Sequence, residues 1–191
     1  MNIANQLTVL RILLTFLCMG FILKCDLYSL LAGLGVFVIA SLTDFLDGHL
    51  ARKKGKISDL GKILDPLADK ILIIGTFLAF LEKGIVNSWL VIVIMIREFL
   101  ITGLRLFALR QNKVIEARYL GKHKTVTQSA AIIVIFILVI IEKITLNLNA
   151  WGWFKDFRSM AIFLLMVWVA ILTVISGIVY LWKNRTIIRS L

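Results

Sequence analysis

The sequence has little of what builds cross-links and zinc sites: one proline, two cysteines and two histidines. Disulfide frameworks need several cysteines at set spacings, and zinc sites need clustered cysteines and histidines. Cys18, Cys25, His49 and His123 predict neither, and we expect both cysteines to be small buried thiols. Acidic residues are also few, 11 against 22 basic ones, so the formal net charge is +11.

Apolar residues dominate instead, at 60% of the chain with a mean hydropathy of +0.95. Soluble domains contain only ~45–50%, and several apolar runs here approach the length that crosses the ~30 Å hydrocarbon core of a bilayer. We predict an all-α polytopic protein of the cell membrane, one domain over residues 1–191, without a cleavable signal peptide. The six predicted transmembrane helices are Leu7–Leu23, Tyr28–Ala51, Ile63–Leu81, Val86–Leu106, Thr125–Ile141 and Met160–Trp182.

The basic residues predict the orientation. Fourteen lysines and arginines fall after helices two and four and at the C-terminus, whereas five fall in the segments on the opposite side. The positive-inside rule then places both termini in the cytoplasm. The net charge is thus explained by topology and by attraction to anionic membrane lipids, and we expect no nucleic-acid partner.

One stretch concentrates the acidic residues. Asp44 and Asp47 lie at i,i+3 spacing before a basic segment, and Asp65 and Asp69 lie at i,i+4 spacing after it. Each pair therefore shares one face of a helix, at the cytoplasmic helix ends, and a turn near residues 54–58 would bring the pairs together. Four carboxylates that converge need cations, and hard divalent metals with oxygen ligands suit a phosphate-bearing substrate. The pattern favours a two-metal phosphoryl-transfer site over solvated helix ends.

The same stretch carries a motif, D-x2-D-G-x2-A-R-x8-G-x3-D-x3-D from Asp44 to Asp69. It resembles, without departure, the signature of the CDP-alcohol phosphatidyltransferases. The opening Asn5-Gln-Leu-Thr8-Val-Leu-Arg11 is similar to the family's N-terminal stretch. Residues 64–70, 97–98, 103–105 and 121–128 resemble the phosphatidylglycerophosphate synthase branch of that family.

The resemblance implies a six-helix fold, usually a homodimer, with a polar cavity open to the cytoplasm. It implies that Asp44, Asp47 and Asp65 ligate two Mg²⁺ or Mn²⁺ ions on the CDP diphosphate, and that Asp69 shares the second ion and is the general base. The donor, CDP-diacylglycerol, would contact residues of the motif and of the N-terminal stretch, namely Asn5, Thr8, Gly48, Ala51, Arg52, Ser58 and Gly61. Close packing of small residues between helices is the alternative role for Gly48 and Ala51.

A second basic segment lies between helices four and five. Arg105, Arg110, Arg118 and Lys124 would bind the phosphate of an acceptor, so we expect sn-glycerol 3-phosphate and not a neutral alcohol. A solvated positive-inside loop is the alternative. The reaction expected is phosphatidyl transfer from CDP-diacylglycerol, which gives phosphatidylglycerophosphate and CMP.

Other readings stay open. The same chemistry with inositol phosphate or serine is the nearest rival, followed by a cation transporter and by a purely structural membrane protein. Transporters usually show paired halves and midplane sites, which the single acidic stretch does not match. Arg97 and Glu98 lie mid-way along the fourth predicted helix, where a buried pairing with another helix is favoured over direct substrate contact.

Overall fold

The computed structural model describes the backbone of residues 3–54, 59–110, 120–145 and 152–185, and most side chains within these ranges. Side chains of 3–7, 44–54, 59–67, 69, 105–106, 109–110, 120–125 and 152–153 lie outside that description. In these ranges the chain forms six helices: α1 (Ile3–Lys24), α2 (Leu27–Lys54), α3 (Asp59–Glu82), α4 (Ser88–Arg110), α5 (Leu120–Thr145) and α6 (Gly152–Lys183).

Two short turns join helices at the end of the bundle away from the acidic motif. Asp26 caps α2, since its Oδ2 accepts the Ser29 N–H at 3.1 Å, and hydrogen bonds from the Ser29 hydroxyl and N–H lower the pKa of Asp26. α3 ends in a Schellman motif, in which Gly84 has a φ of +66° and the Ile85 N–H reaches the Phe80 carbonyl at 2.9 Å. Because such turns are tight, the helices they join run antiparallel.

The core lies where α1, α2, α3 and α5 meet. Phe136 of α5 packs edge-to-face on Phe80 of α3, with ring centroids 4.9 Å apart, and also contacts Phe37 of α2 at 6.3 Å. Gly33 makes room for this ring, because a Cβ there would lie 3.3 Å from Phe136 Cε1. α6 packs against both α4 and α5 and so links these two helices.

The outer surface is strongly apolar. Phe16, Trp89, Ile96 and Trp168 are all more than half exposed, and such large exposed apolar surface is not tolerated on a soluble monomer. Among the described residues, Val126–Thr145 and Phe154–Lys183 are long and apolar enough to cross a membrane. An all-helical membrane protein is therefore plausible from the structure itself.

The six predicted helices are confirmed as helices, but most extend beyond the predicted bounds. α2 continues to Lys54 instead of Ala51, α3 begins at Asp59 instead of Ile63, and α6 begins at Gly152 instead of Met160. The predicted bounds marked where the apolar runs stop, whereas backbone hydrogen bonding continues through polar residues. α4 begins two residues later than predicted, because the Asn87 side chain caps it by accepting the Trp89 N–H at 3.0 Å.

Candidate active site

The backbone places the two aspartate pairs on neighbouring helices in the chain. Asp44 and Asp47 lie on α2, and Asp65 and Asp69 lie on α3. Both helices are continuous through these positions, so each pair shares one helix face as predicted. Residues 55–58 alone separate the helices, and five peptide links span at most about 18 Å. The end of α2 and the start of α3 are therefore close.

The helix bounds also fix how deep the aspartates lie. At about 1.5 Å per residue, Asp47 and Asp65 are roughly 10 Å and 9 Å from the ends that face each other, and Asp44 and Asp69 are both roughly 15 Å from them. The pairs thus match in depth. Both helices extend about two to three turns past the aspartates, so these lie further from the helix ends than the predicted bounds implied, and their place at the cytoplasmic ends stays a prediction.

The four aspartate side chains lie outside the described part of the chain. Within the described part, no cluster of three or more histidine, cysteine, aspartate or glutamate residues could hold a metal. The donor set of the motif is nevertheless suited to Mg²⁺ or Mn²⁺, since both are hard cations that prefer carboxylate oxygens. Because both helices are continuous, the two positions of each pair stay on one face of the backbone helix.

α1 packs along α3. Thr8, Arg11 and Thr15 of α1 are each 1% exposed or less. Thr15 lies beside Gly75 of α3, where an added Cβ would be 3.0 Å from Thr15 Cγ2. The buried Arg11 guanidinium is noteworthy in an apolar bundle, because a buried charge requires polar partners. Arg11 lies on α1 one turn from Thr15 toward the motif end.

The remaining predicted site residues on helices fall at the same end of the bundle, and their side chains lie outside the described part of the chain. Gly48, Ala51 and Arg52 lie on the last turns of α2, Gly61 on the first turn of α3, and Asn5 on the first turn of α1. Arg105 and Arg110 lie on the last turns of α4, and Lys124 on the first turns of α5. Ser58 and Arg118 fall outside the described residues.

A buried polar network lies beside the motif. The Lys70 ammonium, adjacent to Asp69 in the chain, donates to Glu98 Oε2 of α4 at 2.7 Å. Glu98 Oε1 accepts the Gln128 amide of α5 at 3.2 Å and the Arg97 guanidinium at 3.4 Å. Arg97 also donates to Ser176 Oγ of α6 at 2.6 Å. The network therefore joins α3, α4, α5 and α6.

The network confirms that Arg97 and Glu98 pair with other helices. The long Arg97 side chain also reaches its chain neighbour Glu98, at 3.4 Å. Sequence reasoning missed Lys70 and Gln128, although both stand in the stretches that resemble the family. The sequence does hold a signal for both residues, because a charged or amide side chain within an apolar helix needs a buried partner.

A sequence model of the family described as CDP-alcohol phosphatidyltransferase matches residues 1–183. The protein belongs to the CDP-alcohol phosphatidyltransferase family. Because the match covers nearly the whole chain, all six helices fall within the family's region.

Curated members of this family are similar to the chain. A CDP-diacylglycerol–glycerol-3-phosphate 3-phosphatidyltransferase of Bacillus subtilis is 39% identical over 155 residues, which are 81% of this chain and 74% of the relative. A protein of the same name from Rickettsia bellii is 37% identical over 69% of this chain and 72% of its own length. Another from Mycoplasma genitalium is 41% identical over 55% of this chain and 44% of its own length.

Proposed function

We propose that this protein transfers the phosphatidyl group of CDP-diacylglycerol to sn-glycerol 3-phosphate, which yields phosphatidylglycerophosphate and CMP in phospholipid biosynthesis. The observation that carries the proposal is the pairing of four motif aspartates at matched depth on α2 and α3, in a member of this family. The acceptor is supported by the shared name of relatives that are 37–41% identical. An enzyme of lipid synthesis also accords with the apolar outer surface.

In the proposed reaction, the primary hydroxyl oxygen of the acceptor bonds to the phosphorus that carries the diacylglycerol. The bond between that phosphorus and the bridging oxygen of the diphosphate breaks, and CMP leaves with both bond electrons. Asp69 takes the hydroxyl proton as general base. Asp69 is as far from the start of α3 as Asp44 is from the end of α2, which supports a role for both residues in the same site.

The family uses divalent metal, and we assign two ions, Mg²⁺ or Mn²⁺, to the motif. Asp44, Asp47 and Asp65 would hold them, with Asp69 shared at the second ion. When bound, the ions would neutralise the diphosphate and stabilise the charge on departing CMP. The carboxylates themselves set the positions at which the donor phosphates bind. Orientation and charge complementarity then supply most of the acceleration.

The donor head group would lie over the last turns of α2. Gly48 and Ala51 leave room for the CMP portion to approach the backbone, and Arg52 suits a phosphate through its two-pronged guanidinium. Further donor contacts are assigned to Asn5, Thr8, Ser58 and Gly61. Burial of Thr8 on α1 supports only an inward-facing position, with the hydroxyl away from bulk lipid.

The acceptor phosphate is assigned to Arg105, Arg110, Arg118 and Lys124. Arg105 and Arg110 end α4, and Lys124 begins α5, at the same end of the bundle as the motif. Cations there would offset repulsion between the acceptor phosphate and the donor diphosphate.

We assign the protein to the cell membrane as one domain over residues 1–191, with six spans, cytoplasmic termini and a cytoplasmic site. Each helix has 22 or more residues, and 22 residues span about 33 Å, enough for a bilayer core of ~30 Å. In the sequence, fourteen basic residues fall around the links between helices two and three and between helices four and five and at the C-terminus, against five in the segments on the opposite side. The positive-inside rule places the side with more basic residues in the cytoplasm. A homodimer is part of the proposal and follows from the family resemblance alone.

The experiment is an acceptor competition. Purified protein, CDP-diacylglycerol and Mg²⁺ or Mn²⁺ are incubated with labelled glycerol 3-phosphate, inositol phosphate or serine, and labelled lipid is identified. Incorporation of glycerol 3-phosphate with release of one CMP per lipid supports the proposal. Preferred use of another alcohol would retain the phosphatidyl transfer and replace the acceptor, whereas metal flux without CMP release would favour the transporter.

A further inference from the structure

The rotational setting of α3 determines where Asp65 and Asp69 lie relative to α2. Among the described residues, α2 and α3 contact each other little, whereas both pack extensively against α1. The α1–α3 contact is close but apolar, with Gly75 beside Thr15 and Met19. Apolar packing between helices in a bilayer relies on van der Waals contact, because lipid tails are as apolar as the side chains. A polar contact on another face of α3 adds a second constraint on its rotation.

Lys70 makes such a contact. Its ammonium lies 2.7 Å from Glu98 Oε2, and the side chains are 16% and 5% exposed. Charge-assisted hydrogen bonds are short and roughly twice as strong as neutral ones, so this largely buried pair resists separation. Because Lys70 follows Asp69 on a continuous helix, a contact that fixes Lys70 also fixes the direction in which the Asp69 backbone faces.

Glu98 is itself held from three directions. Gln128 Nε2 bridges Glu98 Oε1 and Thr173 Oγ1 of α6, at 3.2 Å and 3.4 Å. Arg97 reaches Ser176 of α6 and lies so close to Gly177 that a Cβ there would be 3.1 Å from its Nε. The acceptor for Lys70 is thus anchored on α4, α5 and α6.

Stability alone does not account for the network. Burial of two cations and one carboxylate is costly, and well-packed apolar residues in place of buried ion pairs are often neutral or stabilising. What the ion pair supplies is a fixed geometry between helices. The network lies within one residue of the motif, where a fixed geometry matters for the reaction.

We infer that Glu98 is a positioning residue: through Lys70 it fixes the rotation of α3, and with it Asp69, relative to α4, α5 and α6. The inference rests on the proposed function. A rotation of α3 by 20° would move its Cα atoms by roughly 0.8 Å, given a helix radius of about 2.3 Å. Side-chain atoms further from the axis would move more, and a misplacement of about 1 Å can cost 10²-fold in rate.

The test compares Glu98→Gln and Lys70→Met with the conservative Lys70→Arg in the full-length protein. We expect kcat to fall at least 10-fold in the first two variants, while KM for CDP-diacylglycerol and glycerol 3-phosphate changes less than threefold. Lys70→Arg should recover most of kcat, because the cation remains within reach of Glu98. Gln128→Leu, which leaves both charges in place, should give a smaller loss of kcat and carries the test if Glu98→Gln does not fold.

The matched control is Glu142→Gln. Glu142 pairs with Arg158 between α5 and α6, fourteen residues along α5 from Gln128 and toward the other end of the bundle. This variant should lower the melting temperature and leave kcat of the folded protein unchanged. Equal kcat in Glu98→Gln, Lys70→Met and wild type would overturn the inference. A raised KM for the acceptor with unchanged kcat would also overturn it and make Lys70 a binding residue.

These outcomes stay separate from failure of the proposed function. If wild-type protein uses another alcohol, the kcat comparison is made with that alcohol and still decides the role of Glu98. If wild-type protein releases no CMP with any acceptor, the proposed function fails and the positioning role fails with it.

Discussion

Gly75→Ala is the substitution whose cost the structure defines most directly. The added Cβ would lie 3.0 Å from Thr15 Cγ2 and 3.1 Å from Met19 Sδ, closer than the about 3.5–4.0 Å optimum for carbon contacts. Met19 can move, because its thioether chain is flexible. The Thr15 methyl cannot turn away easily, because its hydroxyl donates to the Arg11 carbonyl at 2.8 Å and fixes the rotamer.

Two terms of opposite sign set the magnitude. Overpacking of a close contact costs about 1–3 kcal/mol, whereas alanine in place of a helical glycine gains roughly 0.5–1 kcal/mol. We expect a net loss of about 1–2 kcal/mol, which corresponds to a fall in melting temperature of roughly 2–8 °C for a chain of this size.

The assay is thermal unfolding of purified protein in detergent, with two controls. Gly20→Ala on α1 meets nothing within 4 Å and should raise the melting temperature slightly. Thr15→Ser removes the methyl and keeps the hydroxyl, so Gly75→Ala should be harmless in that background. An equal loss with and without the Thr15 methyl would refute the close α1–α3 contact.

Four further predictions concern the site and the topology. Asp44→Asn should abolish turnover in protein that still inserts and folds, and full activity of this variant in excess chelator would refute the metal assignment. Asp69→Asn should lose on the order of 10² or more in kcat and still bind CDP-diacylglycerol with Mn²⁺; lost donor binding at near-normal turnover would make Asp69 a ligand and not the base. Arg118→Gln should raise KM for glycerol 3-phosphate, with a loss of about 10- to 100-fold in kcat/KM, while KM for the donor stays constant; kinetics with both substrates varied would detect the opposite pattern. Cys25, between α1 and α2, should react with an impermeant maleimide in intact cells, and labelling only after lysis would reverse the proposed orientation.

The number and order of the helices could be predicted because apolar runs of sufficient length define them. All six were located from such runs. Both cysteines were expected to be buried thiols, which is confirmed for Cys18 and wrong for Cys25, because Cys25 lies in the turn between α1 and α2 and is only partly buried. Helix ends were harder to predict. Hydropathy shows where the apolar runs stop, at Ala51 and Ile63, but it does not show how far each helix continues into the polar residues between them. The distance of the aspartates from the helix ends therefore became apparent only when the helix bounds were known.

Partners across helices could not be predicted from one sequence. Glu98 was expected to pair with another helix, but nothing in the spacing selects Lys70 and Gln128 over other polar residues, because pairing depends on helix packing and rotation. The place of the single proline in its helix also depends on where that helix begins. α3 begins at Asp59, so Pro66 lies about two turns inside and not in the first turn, where proline is best accommodated.

The Lys70–Glu98 pair has a consequence for how the protein enters the membrane during synthesis. Lys70 lies twelve residues before α3 ends at Glu82, and Glu98 lies ten residues after α4 begins at Ser88, so the pair closes across one tight turn. Insertion of either helix alone would expose charged side chains, each of which costs roughly 2.5–3.5 kcal/mol at a helix centre. In the hairpin the charges of Lys70 and Glu98 offset each other, and Arg97 of α4 is the one charge of the network that remains. We therefore expect the translocon to release α3 and α4 into lipid as a single helical hairpin, formed before α5 and α6 are made.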